Sequence, residues 1–320
     1  MKFTSLLAGA ALVLMAGAAL AQERITYKSA KSTSSYYQMG VQIAEAMKEG
    51  TDGDVIVTVE ESQGSVQNVM EVRARGADYV FTTPPALIGL AQNGKAMFEG
   101  KGDPAFDNIR ALFPIPSLTV HFVVSEDSGV TDFAGLAGKT VLLGKGSFGA
   151  REGEKYLELF GLGGKVDLAN VELSNAVAAL KNGQIDGFVT AGSYPAPNVI
   201  EAAATTGVNI LSLSDDQIAQ TKRAKMVIPA GTYAGQDAAV TTTSLSVAAF
   251  TTTAMSDDVA YQLTKTFWEQ RAKMGEEAPW WSGVDEGLMS SITTKFHPDA
   301  VQYYQEAGIP LSDAQMYMRL

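Results

Sequence analysis

The sequence predicts an α/β protein built of two similar lobes that face each other across a central cleft. Three observations carry this expectation. Strand-like and helix-like segments alternate from Glu23 onward. The same order returns about 110 residues later, and two β-rich segments bracket that second copy. A strand–helix–strand order implies a parallel sheet with right-handed crossovers. The same order also allows one larger doubly wound sheet with no cleft.

The elements follow in chain order. Lys2 gives a basic start, Leu6–Leu20 is an apolar run, and Ala19-Leu20-Ala21 has the small-x-small form of a cleavage site. Residues 1–21 therefore read as a secretory signal peptide, with an uncleaved anchor as the alternative, and a periplasmic location follows. Glu23–Ala30 reads as a strand. Ser34–Glu49 carries Met39, Ile43 and Met47 at the spacing of an amphipathic helix. Asp54–Glu60 is dense in β-branched residues and reads as a strand. Ser65–Arg75 reads as a helix stopped by Gly76, and Ala77–Thr82 as the next strand.

The second copy opens with the strand Lys139–Gly144, runs through a glycine-rich turn, and enters a helix from about Ala150 to Phe160. A strand within Val166–Leu173, a helix over Asn175–Lys181 and a strand over Ile185–Thr190 complete it. SVQNVMEVRARGADYVFTTPP in the first copy answers NAVAALKNGQIDGFVTAGSYP in the second: a helix, a glycine stop, an Asp opening a strand, and a Pro-bearing loop. Ala111–Val124 and Ala239–Thr252 read as strands crossing between lobes, after which a helical tail returns to the first lobe. The expected division is residues 22–118 plus 245–320 for lobe 1 and 119–244 for lobe 2.

Composition narrows the function. The chain has 35 acidic against 24 basic residues, which disfavours nucleic acid and anionic membrane as partners but not a small anion, which feels only its pocket's local field. There is no cysteine, so disulfides and thiolate metal sites are excluded. The only histidines, His121 and His297, form no metal or nucleophile motif, and no G-x-S-x-G elbow occurs. Neither an enzyme, a metal nor a cofactor is expected.

Chemistry is expected where strands hand over to helices, because helix N-termini there offer free N–H groups and partial positive charge to an anion. Three such places stand out: Ser29 to Ser35, Gln63-Gly64-Ser65, and Gly146-Ser147-Phe148-Gly149. Taken singly, each serine is better explained as a helix cap; three such loops converging on one cleft point instead to anion capture. Arg151 sits in a first helical turn against the helix dipole, which points either to a bidentate ligand carboxylate or to a surface pair with Glu154 or Glu158. Of Tyr36 and Tyr37, at most one faces the ligand.

These segments resemble the TAXI-type solute receptors of tripartite ATP-independent periplasmic (TRAP) transporters. Ser34-Ser35-Tyr36-Tyr37-Gln38-Met39-Gly40 is similar to that family's G-x-Y-Y-P-x-G, with Gln38 in place of Pro. ESQGSVQNVMEVRARGAD, GKTVLLGKGSFG, IPAGTYAGQD and FHPDAVQYYQEAGI also resemble its motifs, in order along nearly the whole chain. The resemblance implies a type II periplasmic-binding-protein fold, a hinged cleft, and delivery of a small carboxylate such as glutamate or 2-oxoglutarate to TRAP membrane permease subunits. By position it implies ligand contacts at Ser34, Tyr36, Gly64, Ser65, Ser147, Gly149 and the Gly192-Ser193-Tyr194 loop. Arg151, added to such a pocket, would favour a dicarboxylate. The receptor is expected to act as a monomer, and a binding protein of an ATP-driven importer is the alternative role.

Overall fold

The computed structural model describes residues 22–316 apart from Gly146; the expected signal peptide lies outside the described residues. The first half runs β1 (Glu23–Lys28), α1 (Ser35–Gly50), β2 (Val55–Glu60), α2 (Ser65–Glu71), β3 (Tyr79–Thr83) and α3 (Pro85–Gln92). The long β4 (Ile109–Ser125) follows. The second half runs β5 (Thr140–Leu142), α4 (Phe148–Leu159), β6 (Asp167–Ala169), α5 (Ala176–Lys181), β7 (Gly187–Gly192), α6 (Pro197–Thr205), β8 (Val208–Ile210), α7 (Asp215–Thr221) and β9 (Ala224–Ile228). The long β10 (Val240–Thr252) leads back to α8 (Asp257–Glu277) and α9 (Pro298–Ala307).

The hydrogen-bonded order is β2-β1-β3-β10-β4-β7-β5-β6, with β8 on β4 and β9 on β10. In the first half β1 pairs parallel with both β2 and β3; in the second β5 pairs parallel with both β6 and β7. The antiparallel strands β4 and β10 belong to both halves. β10 lies against β9 over Val240–Ser244 and against β3 over Ala248–Phe250. β4 lies against β10 up to Thr119 and against β7 from Thr119 to Val124. These are two α/β lobes joined by crossing strands, not a single doubly wound sheet.

The spacing read in α1 is what the core uses: Met39, Ile43 and Met47 are buried, as are Val259, Leu263 and Phe267 of α8. Phe267 stacks on Phe113 of β4 with centroids 4.0 Å apart. Tyr304 of α9 donates its hydroxyl to the Leu112 carbonyl at 2.6 Å. Gln42 of α1 accepts from both Trp280 and Trp281. The tail is thus fixed to the first half through β4 and α1. α3 and α6 begin where the sequence shows Pro-bearing loops. Pro85 and Pro197 stand at the starts of these helices, where a missing N–H costs nothing.

Candidate functional site

The ends of all six parallel strands meet at one cavity between the lobes, of about 630 Å³ including its open mouth. From the first lobe, the segment after β1 contributes Ser29, Lys31, Ser34 and Tyr36. The segment after β2 contributes Gln63, Gly64 and Ser65, and β3 contributes Thr82. From the second lobe, the turn after β5 contributes Gly144, Lys145, Ser147 and Gly149. Glu172 and Leu173 follow β6, and Ala191 lies on β7. The crossing strand β4 adds Leu118. This is where ligands settle in open α/β sheets, beyond the carboxyl ends of the strands.

Local chemistry holds these segments in place. The fully buried Asn68 donates its amide to the carbonyls of Ser29 (2.7 Å) and Thr82 (2.9 Å), tying the ends of β1 and β3 together. Ser62 donates to the Ser29 carbonyl at 2.9 Å and accepts from the Gly64 N–H at 2.9 Å. Gly64 has φ of 111°, a conformation other residues reach only with strain, and it caps α2 without a side chain. Ser34 caps α1 by accepting from the Tyr37 N–H, and Ser147 caps α4 by accepting from the Ala150 N–H at 2.9 Å. Both serines therefore cap helices and line the cavity at once.

Tyr36 is buried and donates to the Pro116 carbonyl at 2.9 Å, so of the two tyrosines it is Tyr36 that reaches the cavity. Burial holds its phenol far above the ordinary tyrosine value, with the nearby Ser193 hydroxyl opposing the effect.

Of the residues singled out from the sequence, Ser34, Tyr36, Gly64, Ser65, Ser147 and Gly149 are brought together here. Arg151 is not: its side chain is exposed and does not line the cavity. The reason is helical geometry. The helix starts at Phe148, and Gly149 packs against Ala191, where an added Cβ would come within 2.9 Å of the Ala191 Cβ. Arg151 follows two residues later, about 200° around the axis, and so points away.

The Gly192-Ser193-Tyr194 loop is also displaced from the main cavity. Ser193 and Tyr194 line a second hollow with Pro116, Thr119, Met226 and Trp280. Gly192 touches the first lobe directly: a Cβ there would lie 2.8 Å from Ser35 Oγ. Thr82, Leu118, Glu172, Leu173 and Ala191 were not singled out beforehand. The strand-end rule applied to β6 would have reached Glu172 and Leu173.

Among the described residues, Asp257, His297 and Asp299 have ligand atoms within 4.8 Å of one another. They sit at the starts of α8 and α9, where carboxylates suit the helix dipole, and none of them lines the cleft cavity.

Two lobes on paired crossing strands, with strand ends meeting across a cavity, define the periplasmic-binding-protein architecture. Solved structures agree. The periplasmic binding protein BugD superposes with a TM-score of 0.58 at 11% identity, covering 90% of this chain and 98% of its own. A protein known as a periplasmic transporter gives 0.53 at 10% identity, covering 92% and 95%. A protein from Bordetella bronchiseptica gives 0.51 at 17% identity, covering 89% and 80%. The chain itself belongs to the NMT1-like family, whose model matches residues 28–308.

Proposed function

We propose that this protein is an extracytoplasmic solute receptor, not an enzyme. It captures a small carboxylate between its lobes and delivers it to a membrane transport system. The observation that carries this reading is the convergence of six strand ends on one interlobe cavity walled by Lys31, Lys145 and the starts of α1 and α4. Those helices are 16 and 12 residues long, and their N-terminal dipoles and the two ammonium groups favour an anion. Similarity of fold to a periplasmic binding protein and a periplasmic transporter supports a periplasmic, transport-linked role.

In this reading the lobes are residues 22–118 with 245–320 and residues 119–244. The hinge lies where β4 and β10 exchange partners, near Thr119 and between Ser244 and Ala248. A ligand touching both lobes stabilises the shut form over the open one, and that difference is what a membrane partner reads. The sequence resemblance to TAXI receptors makes a TRAP-type permease pair the partner, and glutamate and 2-oxoglutarate the first compounds to try.

A thermal-shift screen of mono- and dicarboxylates on the purified chain tests the reading. A ligand held only by the folded form, at one hundred times its Kd, adds about 2.7 kcal/mol and raises the melting temperature by several degrees. A flat profile over all the carboxylates, with a shift from an uncharged or cationic solute, would refute it.

A further inference from the structure

The cavity wall carries three charged side chains among the described residues: Lys31, Lys145 and Glu172. Glu172 reaches from the second lobe to the first, its Oε2 lying 3.7 Å from Lys31 Nζ. Gln63 joins the same contact. With its amide turned to suit its neighbours, the nitrogen donates to Glu172 Oε2 at 2.8 Å and the oxygen accepts from Lys31 Nζ at 3.1 Å. The Lys31 segment is itself braced, since Ser34 N–H donates to the Lys31 carbonyl at 2.9 Å and Ser32 N–H to Glu61 Oε1 at 2.5 Å.

Two consequences follow. The trio bridges the two lobes, so opening the cleft would have to break it. It also sets the charge an occupant meets. Glu172 matches Lys31, while Lys145 has no carboxylate within 4 Å among the described residues, which leaves the wall at one net positive charge. The Lys31 and Glu172 side chains are 27% and 40% exposed, so solvent weakens their fields without erasing them.

We propose that Glu172 is a specificity-determining residue that selects ligands of one net negative charge and turns dianions away. The proposal rests on the reading of the cleft as a carboxylate site. A single carboxylate is balanced by Lys145 and the helix starts. A second, unaccompanied carboxylate meets the Glu172 charge. An ammonium on the ligand meets attraction instead, so glutamate fits the charge pattern and 2-oxoglutarate, of the same carbon skeleton, does not.

Calorimetric titration of the wild-type chain and of Glu172→Gln with glutamate, 2-oxoglutarate and 2-oxopentanoate tests this. Glutamine keeps the hydrogen-bonding shape and removes only the charge. The expected result is that 2-oxoglutarate binds Glu172→Gln on the order of tenfold more tightly than wild type, as a lost charge repulsion at partly exposed distances implies. The affinity for 2-oxopentanoate, which lacks the second carboxylate, should change by less than about threefold. Glu172→Ala, which also loses the contact to Gln63, should weaken all three ligands relative to Glu172→Gln while keeping the improved dianion-to-monoanion ratio. An unchanged ratio in both variants overturns the proposal. Failure of all three acids to bind any of the proteins overturns the carboxylate reading beneath it, which is a separate and recognisable outcome.

Discussion

His121 should make this protein lose stability in mild acid, by an amount the structure lets one work out. The imidazole is fully buried in β4, and its Nε2 lies 2.9 Å from the Tyr233 hydroxyl. That hydroxyl also accepts from the Ala196 N–H at 2.9 Å, and it can share its hydrogen bond with Nε2 in either direction while the imidazole is neutral. Burial depresses the pKa from 6.5 to about 4, and the nearby Thr119 backbone opposes only part of the effect. The unfolded chain takes up a proton near pH 6.5 and the folded one does not. Stability from this group is therefore complete above pH 6.5 and is lost as pH falls towards 4, where the folded state protonates as well. At 1.36 kcal/mol per unit, the loss is roughly 3 kcal/mol across that window. The assay is urea unfolding at a series of pH values for wild type and for His121→Gln, whose side-chain oxygen can accept from Tyr233 but cannot titrate. Depressed carboxylates such as Glu60, held down chiefly by Arg75, titrate in both proteins and cancel in the difference. A wild-type-minus-variant curve that stays level between pH 7 and pH 4 would refute the reasoning.

Three further outcomes are expected. Arg151→Ala should leave the Kd of the best carboxylate within about twofold in calorimetry, because the side chain is exposed outside the cavity; a tenfold loss would put it back in the site. Gly192→Ala should weaken binding by roughly fivefold or more, since its Cβ would press on Ser35 Oγ of the opposite lobe, and Ser35→Gly added to it should restore affinity. Glu152→Ala should cost about 2–3 kcal/mol in chemical denaturation. It strips the Arg223 guanidinium of a two-pronged partner (2.8 and 3.1 Å), and Glu152 is buried while the Arg223 side chain keeps 25% of its exposure.

Much of the fold was readable because it rests on periodicity. Met39, Ile43 and Met47 specify one face of α1 whatever surrounds them, and the DVIVTVE run specifies β2. The same patterns repeated in the second half gave the paired lobes. What stayed hidden was governed by position rather than period. Pro84-Pro85 and Pro197 look like breakers in a linear reading, and only the backbone reveals them as helix starts. Arg151, expected in the first turn of a helix from about Ala150, stands at the fourth position of a helix that starts at Phe148, exposed and off the cavity wall.

The site divides along the same line. Ser34, Gly64 and Ser147, which line the cavity, could be picked out because capping and the strand-end rule tie each one to its own local sequence. Glu172 could not be weighed in that way. Its meaning lies in Lys31 and Gln63, more than a hundred residues upstream on the other lobe, and no local pattern encodes that meeting. The distinction is physical. In the proposed receptor, affinity for an anion as such would come from helix starts and from Lys31 and Lys145, which are supplied locally after β1 and β5. The choice among anions would, on the proposal, come from Glu172, whose contact with Lys31 bridges the interlobe gap. A receptor arranged this way tests its ligand's charge at the moment of closure, so discrimination should appear in how long the shut state lasts more than in how fast a ligand first enters the open cleft.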